Sequence, residues 1–269
     1  MSEFRAEGVP GAKLDRDPAQ RQARVQLIAF FEEHRDGVFF SRQLEVRFED
    51  QFFHWITNRA IGDLVRQGAV RMEARDLADG GTIHVLWHRS NRYHRRQANR
   101  LVRLVDEYSA PNIGASLGRH GELLVLEAFA RGRFLMEGQE VRTHGWRRWT
   151  KTDHDLDFVF ARDGVAYGVE VKNTPGYMDH DELDIKMSMC RRLRVQPVFV
   201  VRMLPKEWIW EVYQHRGFAL ILKWQLYPWT HRDLARRVQR ELGLPVDSPK
   251  RLADGTMARF IRWHGKQRP

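Results

Sequence analysis

Apolar positions recur along the chain with two spacings, steps of three and four and strict alternation, and these divide it into helices and strands. From Pro18 to His34, the residues Val25, Ile28, Ala29, Phe30 and Phe31 suit one face of an amphipathic helix, which Gly37 stops. Val38, Phe39 and Phe40 form a short strand. Ser41 then reads as the N-cap of a second helix whose Leu44 and Phe48 face inward. A third helix is predicted from near Gln51, because Phe53, Ile56, Ala60 and Leu64 make one buried stripe. Gly68 ends it. Residues 69–73 and 82–88 read as two strands joined by a polar, glycine-rich segment. Residues 1–17 carry glycine, proline and charge without a period and read as a mobile tail.

A further helix is predicted over 91–108, with Leu101, Leu104, Val105 and Tyr108 as its apolar stripe. The segment 109–114 reads as a boundary. Beyond it, 116–130 is a helix with Leu117, Leu123, Leu124, Leu126 and Phe129 inward, ended by Gly132. Residues 133–137 make a strand, and 139–145 a strand or loop. Two strands, 155–161 and 166–172, flank Arg162-Asp163-Gly164, a hairpin signal. A turn over 173–179, a helix over 181–193, a buried strand over 197–202, a helix over 206–215 and a strand over 218–226 follow. A basic helix from Thr230 and a short tail close the chain. This alternation predicts an α/β domain with a mixed sheet.

The composition is that of an ordinary soluble globular protein, with 42% hydrophobic and 30% charged residues. No apolar run approaches ~20 residues, so no membrane span is expected. The first residues lack an apolar core, which predicts no secretion. The single cysteine, Cys190, excludes an internal disulfide and a cysteine-based zinc cluster, and fits a cytoplasmic location and a place in the core. The net charge is +10 and the isoelectric point near 10.1, which points to a polyanionic partner. The charge is clustered: arginines 89, 92, 95, 96, 100 and 103 fall within one short segment.

Against that basic background, Asp155, Asp157, Glu170 and Lys172 stand inside apolar strand runs. Alternation puts Asp155 with Asp157 on one face, and Glu170 with Lys172 on one face. Charges in buried strands are costly unless paired or bound to a metal. Two acids and a lysine on neighbouring strands are the groups a divalent-metal phosphodiesterase needs. The acids hold a hard cation and the lysine stabilises the phosphorane-like transition state.

The run Asp157-x12-Glu170-Val171-Lys172, preceded by a helix carrying Gly118-x3-Glu122, resembles the PD-(D/E)xK nuclease superfamily over about residues 116–202. Leu156 stands where the motif has proline. The resemblance implies a restriction-endonuclease-like mixed-sheet fold and Mg²⁺- or Mn²⁺-dependent cleavage of DNA. It implies Asp157, Glu170, Lys172 and Glu122 as catalytic residues, and Asp157, Glu170 and the carbonyl of Val171 as metal ligands. Asp155 is the rival of Asp157, and Glu127 that of Glu122. Residues 18–90, in the order helix, strand, helix, helix, hairpin, resemble a winged helix-turn-helix domain. That resemblance implies a recognition helix presenting His54, Trp55, Asn58, Arg59 and Arg66, with Arg75 on the wing. The chain then divides into a tail over 1–17, the winged helix domain over 18–90 and a basic linker helix over 91–114. A nuclease domain over 115–228 and a basic C-terminal helix and tail over 229–269 complete it.

Arg92, Arg95 and Arg96 on the linker helix are phosphate-contact candidates, as are Arg147, Arg148 and Lys151 ahead of the acidic motif. Trp146 and Trp149 among them either stack on bases or pack. His144, His154 and His180 flank the site, and Lys186 on the following helix is a weaker candidate to face it. Cutting both strands needs two sites, which predicts a homodimer. Two alternatives stand beside the DNA endonuclease: a nuclease subunit silent without partner proteins of a transposition, defence or repair complex, and a non-catalytic DNA-binding regulator.

Overall fold

The structure, a computed structural model, describes residues 17–176 and 178–267. The tail expected over 1–17, apart from Asp17, lies outside them, as does Tyr177 of the expected turn. The chain divides into two compact units, Met1–Asp106 and Glu107–Pro269, with the division falling inside a helix. Among the described residues, no helix is long and apolar enough to cross a membrane.

The first unit begins with helix α1 (Pro18–Glu33), and Asp17 caps it by accepting from the Ala19 N–H at 2.9 Å. Strand β1 (Val38–Phe40) leads directly into α2 (Ser41–Arg47). Phe40, not Ser41, holds the cap position, and its N–H donates to the Gln43 side chain at 3.3 Å. Helix α3 runs His54–Arg66 and starts three residues later than expected, with Phe53 as its cap. Strands β2 (Val70–Asp76) and β3 (Thr82–His88) form an antiparallel hairpin, and β1 adds to the far edge of β3. Ala23, Leu27, Phe30 and Phe31 of α1 pack with Leu44, Ala60, Ile61, Leu64 and Leu86. Val25, expected inward, is exposed, since the buried stripe runs through Ala23 and Leu27 instead. Helix α4 (His94–Ser109) follows, and the His94 ring stacks on Trp87 at 4.2 Å.

The second unit carries α5 (Pro111–Arg131), which takes in the segment expected as a boundary because Pro111 suits a first helical turn. Its buried face includes Val125, while Leu123 is 61% exposed, against expectation. Strand β4 (Leu135–Val141) joins the two short pieces expected there, with a register irregularity between Met136 and Gly138. A two-strand clip, β5 (Thr143–His144) and β6 (Arg147–Arg148), precedes the central hairpin of β7 (Leu156–Arg162) and β8 (Val165–Lys172). The hairpin closes from Arg162 to Val165 across Asp163 and Gly164, whose φ angles are 52° and 77°. Two consecutive positive φ values define the tight turn that Asp-Gly favours.

Helix α6 (His180–Leu193), strand β9 (Gln196–Val201), helix α7 (Lys206–Gln214) and strand β10 (Phe218–Ile221) follow. The sheet order is β10-β9-β8-β7-β4, parallel from β10 to β8 and antiparallel from β8 to β4. The unit is thus mixed α/β, as the element pattern predicts. The strand expected over 218–226 breaks after Ile221, and β11 (Gln225–Leu226) pairs instead with β12 (Val246–Asp247). Between them lie a 3₁₀ turn (Trp229–His231) and α8 (Arg232–Leu242).

One face of the sheet packs on α5 through Leu124, Val125, Ala128 and Phe129, and the other on α6 and α7. The expected short tail contains a regular helix, α9 (Asp254–His264), that belongs to the core. Its Phe260 is fully buried against Phe129, Phe134 and Tyr167. His264, also fully buried, bonds the Tyr167 hydroxyl at 2.6 Å and Asp163 of the hairpin turn at 3.2 Å. Phe260→Ala is expected to lower the stability of this unit by about 3–5 kcal/mol, read as a shift of its urea midpoint. A change below about 1 kcal/mol would place α9 outside the core.

Candidate functional site

The site lies at the end of the central hairpin away from its turn. Asp157 is the second residue of β7, and Glu170 and Lys172 close β8. The β7–β8 pairing runs from Arg162–Val165 to Phe158–Val169, so Asp157 and Glu170 are the residues just beyond its last pair. Alternation turns Glu170 and Lys172 toward α6, while Val169 and Val171 face the core on the α5 side. Asp155 falls before the strand begins, so it does not share a β face with Asp157 as expected.

Two close approaches fix the flanking helices. A Cβ on Gly168 would meet the Cys190 Sγ at 2.8 Å, which seats α6 directly on β8. A Cβ on Gly121 would meet the Asn173 Cβ at 2.9 Å, which seats α5 beside the end of β8. Asn173 itself is buried. Its amide donates to the carbonyls of Leu117 at 2.8 Å and Leu226 at 2.7 Å, and its oxygen accepts from the Leu226 N–H at 2.7 Å. One side chain therefore ties the last residue of the motif to α5 and β11.

The Asp157 carboxylate accepts from the Val171 N–H at 2.7 Å, which orients it toward β8. Val171 thus contributes its N–H to the site, beside the carbonyl expected as a ligand. Glu170 is buried and pairs with the Lys186 ammonium at 2.6 Å. The same ammonium donates to the Asp155 carbonyl, and Lys186 is only 4% exposed. Lys172 is held in a two-pronged pair with Glu182, at 2.7 and 2.8 Å. The structure therefore adds two residues from one face of α6, Glu182 and Lys186, spaced by four. The signal for Lys186 was present in the sequence: it stands in line with Leu183, Met187 and Cys190, a stripe that is otherwise apolar and buried.

The electrostatics run one way. Burial raises the pKa of Glu170, and the Asp157 charge raises it further. Burial raises that of Asp157 as well, against the Val171 N–H and the lysines, which lower it. Glu122 on α5 is half-buried, and burial first, then repulsion by Asp157 and Glu140, raises its pKa. Glu122 thus senses Asp157, as the sequence predicts of a helix acid near the strands. Its rival Glu127 is spent on Arg131 at 2.6 Å.

The structure does not gather Glu122, Asp157 and Glu170 into one tight ligand set. Among the described residues, the group of such side chains whose ligand atoms lie within 4.8 Å of one another is His180, Asp184 and Glu211. There the imidazole sits between two carboxylates, Asp184 at 3.6 Å and Glu211 at 3.2 Å, one on each ring nitrogen. That arrangement cross-links α6 to α7 and engages both ring nitrogens. His144 and His154 also have protein partners, Glu137 at 3.0 Å and the Thr152 hydroxyl at 3.0 Å.

The nucleic-acid candidates of the first unit divide. Arg59, on α3, Arg92, just before α4, and Arg95 and Arg96, in its first turn, are exposed. Asn58 turns inward and donates to Glu45 at 2.6 Å, because Glu45 is itself buried and needs a donor. Arg66 pairs with the buried Asp63, which also accepts from Gln20 at 2.8 Å. Arg75 bonds Asn99 at 3.0 Å and Glu73 at 3.2 Å. His54 is half-buried, and that burial lowers its pKa. In the second unit, Arg147 stacks on the exposed Trp146 ring at 3.9 Å, whereas Trp149 packs inward. Arg148 and Lys151 are exposed.

Lys186→Met is expected to cost about 3–5 kcal/mol, because it strands the Glu170 charge in the interior. Adding Glu170→Gln should restore most of that loss in urea unfolding. A double variant no more stable than the single one would show that charge pairing is not what Lys186 supplies.

Comparison of the chain with protein-family models, with curated proteins and with solved structures finds no match. What the site does rests on its own geometry and chemistry.

Proposed function

We propose that this chain is a metal-dependent DNA endonuclease whose active site is the carboxylate cluster at the ends of β7 and β8. The observation that carries the reading is a local charge imbalance. Six acids, Glu122, Glu140, Asp155, Asp157, Glu170 and Glu182, are coupled through space in a chain of contacts that includes three cations, Arg119, Lys172 and Lys186. This negative centre lies in a protein of net charge +10. Three of its carboxyls have raised pKa values, so a further cation would relieve the repulsion among them.

The donor set suits Mg²⁺ or Mn²⁺, since it offers carboxylate oxygens and neither sulfur nor a free imidazole. Asp157 and Glu170 would hold the ion, with Glu122 completing the site from α5. When bound, a divalent ion lowers the pKa of a coordinated water and offsets phosphate charge. The chain's own groups do the rest. The Val171 N–H holds Asp157 in one orientation. Lys186 neutralises Glu170 where α6 crosses β8. Lys172, steadied by Glu182, presents a positive charge beside the acids, where it can stabilise charge developing on a phosphodiester.

The basic surface supports DNA as the polyanion. The first unit has the helix, strand, helix, helix, hairpin order of a winged helix, and Arg59 lies exposed on its third helix. Arg92, Arg95 and Arg96 add exposed positive charge to the same unit. Cutting both strands of a duplex would engage two copies of the chain.

Plasmid DNA incubated with Mg²⁺ or Mn²⁺ should be cleaved, and an EDTA control should not. Asp157→Asn, Glu170→Gln or Lys172→Ala should each lower cleavage by at least about 100-fold. Duplex binding measured in EDTA should stay within about twofold. Full metal-dependent cleavage by these variants would overturn the assignment. A second readout needs no turnover. Saturating Mn²⁺, at about 100 times its Kd, should stabilise the wild-type protein by about 2.7 kcal/mol, and Asp157→Asn should abolish that gain.

A further inference from the structure

A second feature of the same unit lies on the other side of α6. A cavity of about 500 Å³ opens between the end of the β5–β6 clip and the last turns of that helix. The clip side contributes Arg148, Thr150 and Lys151, with Trp149 as the floor. The helix side contributes Ser188, Arg191 and Arg192. Four cationic side chains and two hydroxyls therefore line it, and no carboxylate does.

The walls are fixed. The Arg192 Nε donates to the Arg148 carbonyl at 3.2 Å, which pins the clip to the helix. The Trp149 indole is buried and donates to the Thr152 hydroxyl at 3.0 Å. More cations crowd the rim: the pKa of Arg147 is lowered by burial and then by Arg194 and Arg192. The nearby Asp153 pairs with Arg142 at 3.5 Å and does not enter the cavity lining.

Part of this charge has a local use, because arginines in the last turn of α6 favour the negative end of the helix dipole. That use does not account for Arg148 and Lys151, which reach the same space from a different element. Cations gathered without a counter-charge cost stability unless an anion joins them. Guanidinium forks, an ammonium and hydroxyl donors together match phosphate oxygens. The volume is in the range of a ligand site and exceeds what one inorganic phosphate fills.

We propose that this cavity is a phosphate-binding subsite that takes the sugar–phosphate backbone of a nucleic acid, outside the carboxylate cluster. Its place on α6 sets the scale. Arg191 and Arg192 follow Lys186 by five and six residues, about 8–9 Å along the helix axis. The subsite would thus hold the backbone across α6 from the position at which the cluster acts. This last point rests on the proposed endonuclease reading, whereas the phosphate chemistry of the cavity does not.

The test is binding in EDTA, where cleavage plays no part. A duplex of about 20 base pairs is titrated against the full chain and against Lys151→Ala/Arg191→Ala over a range of salt. The expected result is a loss of at least about tenfold in affinity. The slope of log K against log salt should flatten by about 2, because each lost phosphate contact removes about 0.9. Arg191→Glu alone, an exposed position, should weaken binding in the same direction and guards against a folding defect in the double variant. Pyrophosphate and a mononucleotide, titrated in parallel, should compete with the duplex only weakly. Unchanged duplex affinity and slope would overturn the proposal. If pyrophosphate then bound the wild type and not the variant, the cavity would belong to a free phosphate compound and not to a strand. Because D157N cleavage is scored separately, a failure of the metal reading and a failure of this subsite are distinguishable.

Discussion

The cost of holding Glu170 away from water governs the second unit. A carboxylate buried among strand residues is tolerated only with a partner, and Lys186 is that partner. The pair requires α6 to cross β8 closely, which Gly168 permits, and requires β8 to end where Asn173 locks it. The same seat of α6 brings Glu182 over Lys172, and the end of β8 supplies the Val171 N–H that orients Asp157. The order of the sheet, the seat of α6 and the position of the acids are thus parts of one solution to a buried charge. A purely apolar version of these positions would remove that demand, so the cost is a reason to look for chemistry there.

Much of this was legible in the residues. The Asp163-Gly164 hairpin, the buried strand after α6 and the acids at matching depths of β7 and β8 follow from alternation and turn chemistry alone. The charges failed to show who pairs with whom. A carboxylate's partner is set by helix placement, and only the three-dimensional approach of α6 assigns Lys186 to Glu170 and Glu182 to Lys172. The buried stripe of α6 did carry a lysine, but a lysine in a stripe reads as a solvated edge until the facing acid is known.

The misreadings elsewhere have the same origin. Asn58 looks outward on a helical wheel, yet Glu45, buried beside it, draws it in, while Arg66 stays exposed and reaches back to the buried Asp63. Val25 and Leu123 look inward by hydropathy, yet neighbouring Ala23 and Val125 fit the contact better. Pro111 and the glycines of α5 suggest a boundary, although proline starts helices well and two of those glycines lie on exposed or half-buried positions. Helix α9 was missed because charged and glycine residues precede it, while its place in the core depends on Phe260 meeting partners more than ninety residues away.

The contact of His264 with Tyr167 and Asp163 bears on the order in which the molecule is made. The central hairpin is clamped at one end by Asn173, which needs β11, and at the other by His264, close to the last described residue. During synthesis the acids of β7 and β8 emerge long before either clamp exists. The turn end of the hairpin is therefore clamped only once α9 docks, whereas the end that carries the acids is held by Asn173 and by the pairs with α6. A chain stopped short of α9 would carry every acid of the proposed site and still lack the clamp on the far end of the hairpin that bears them.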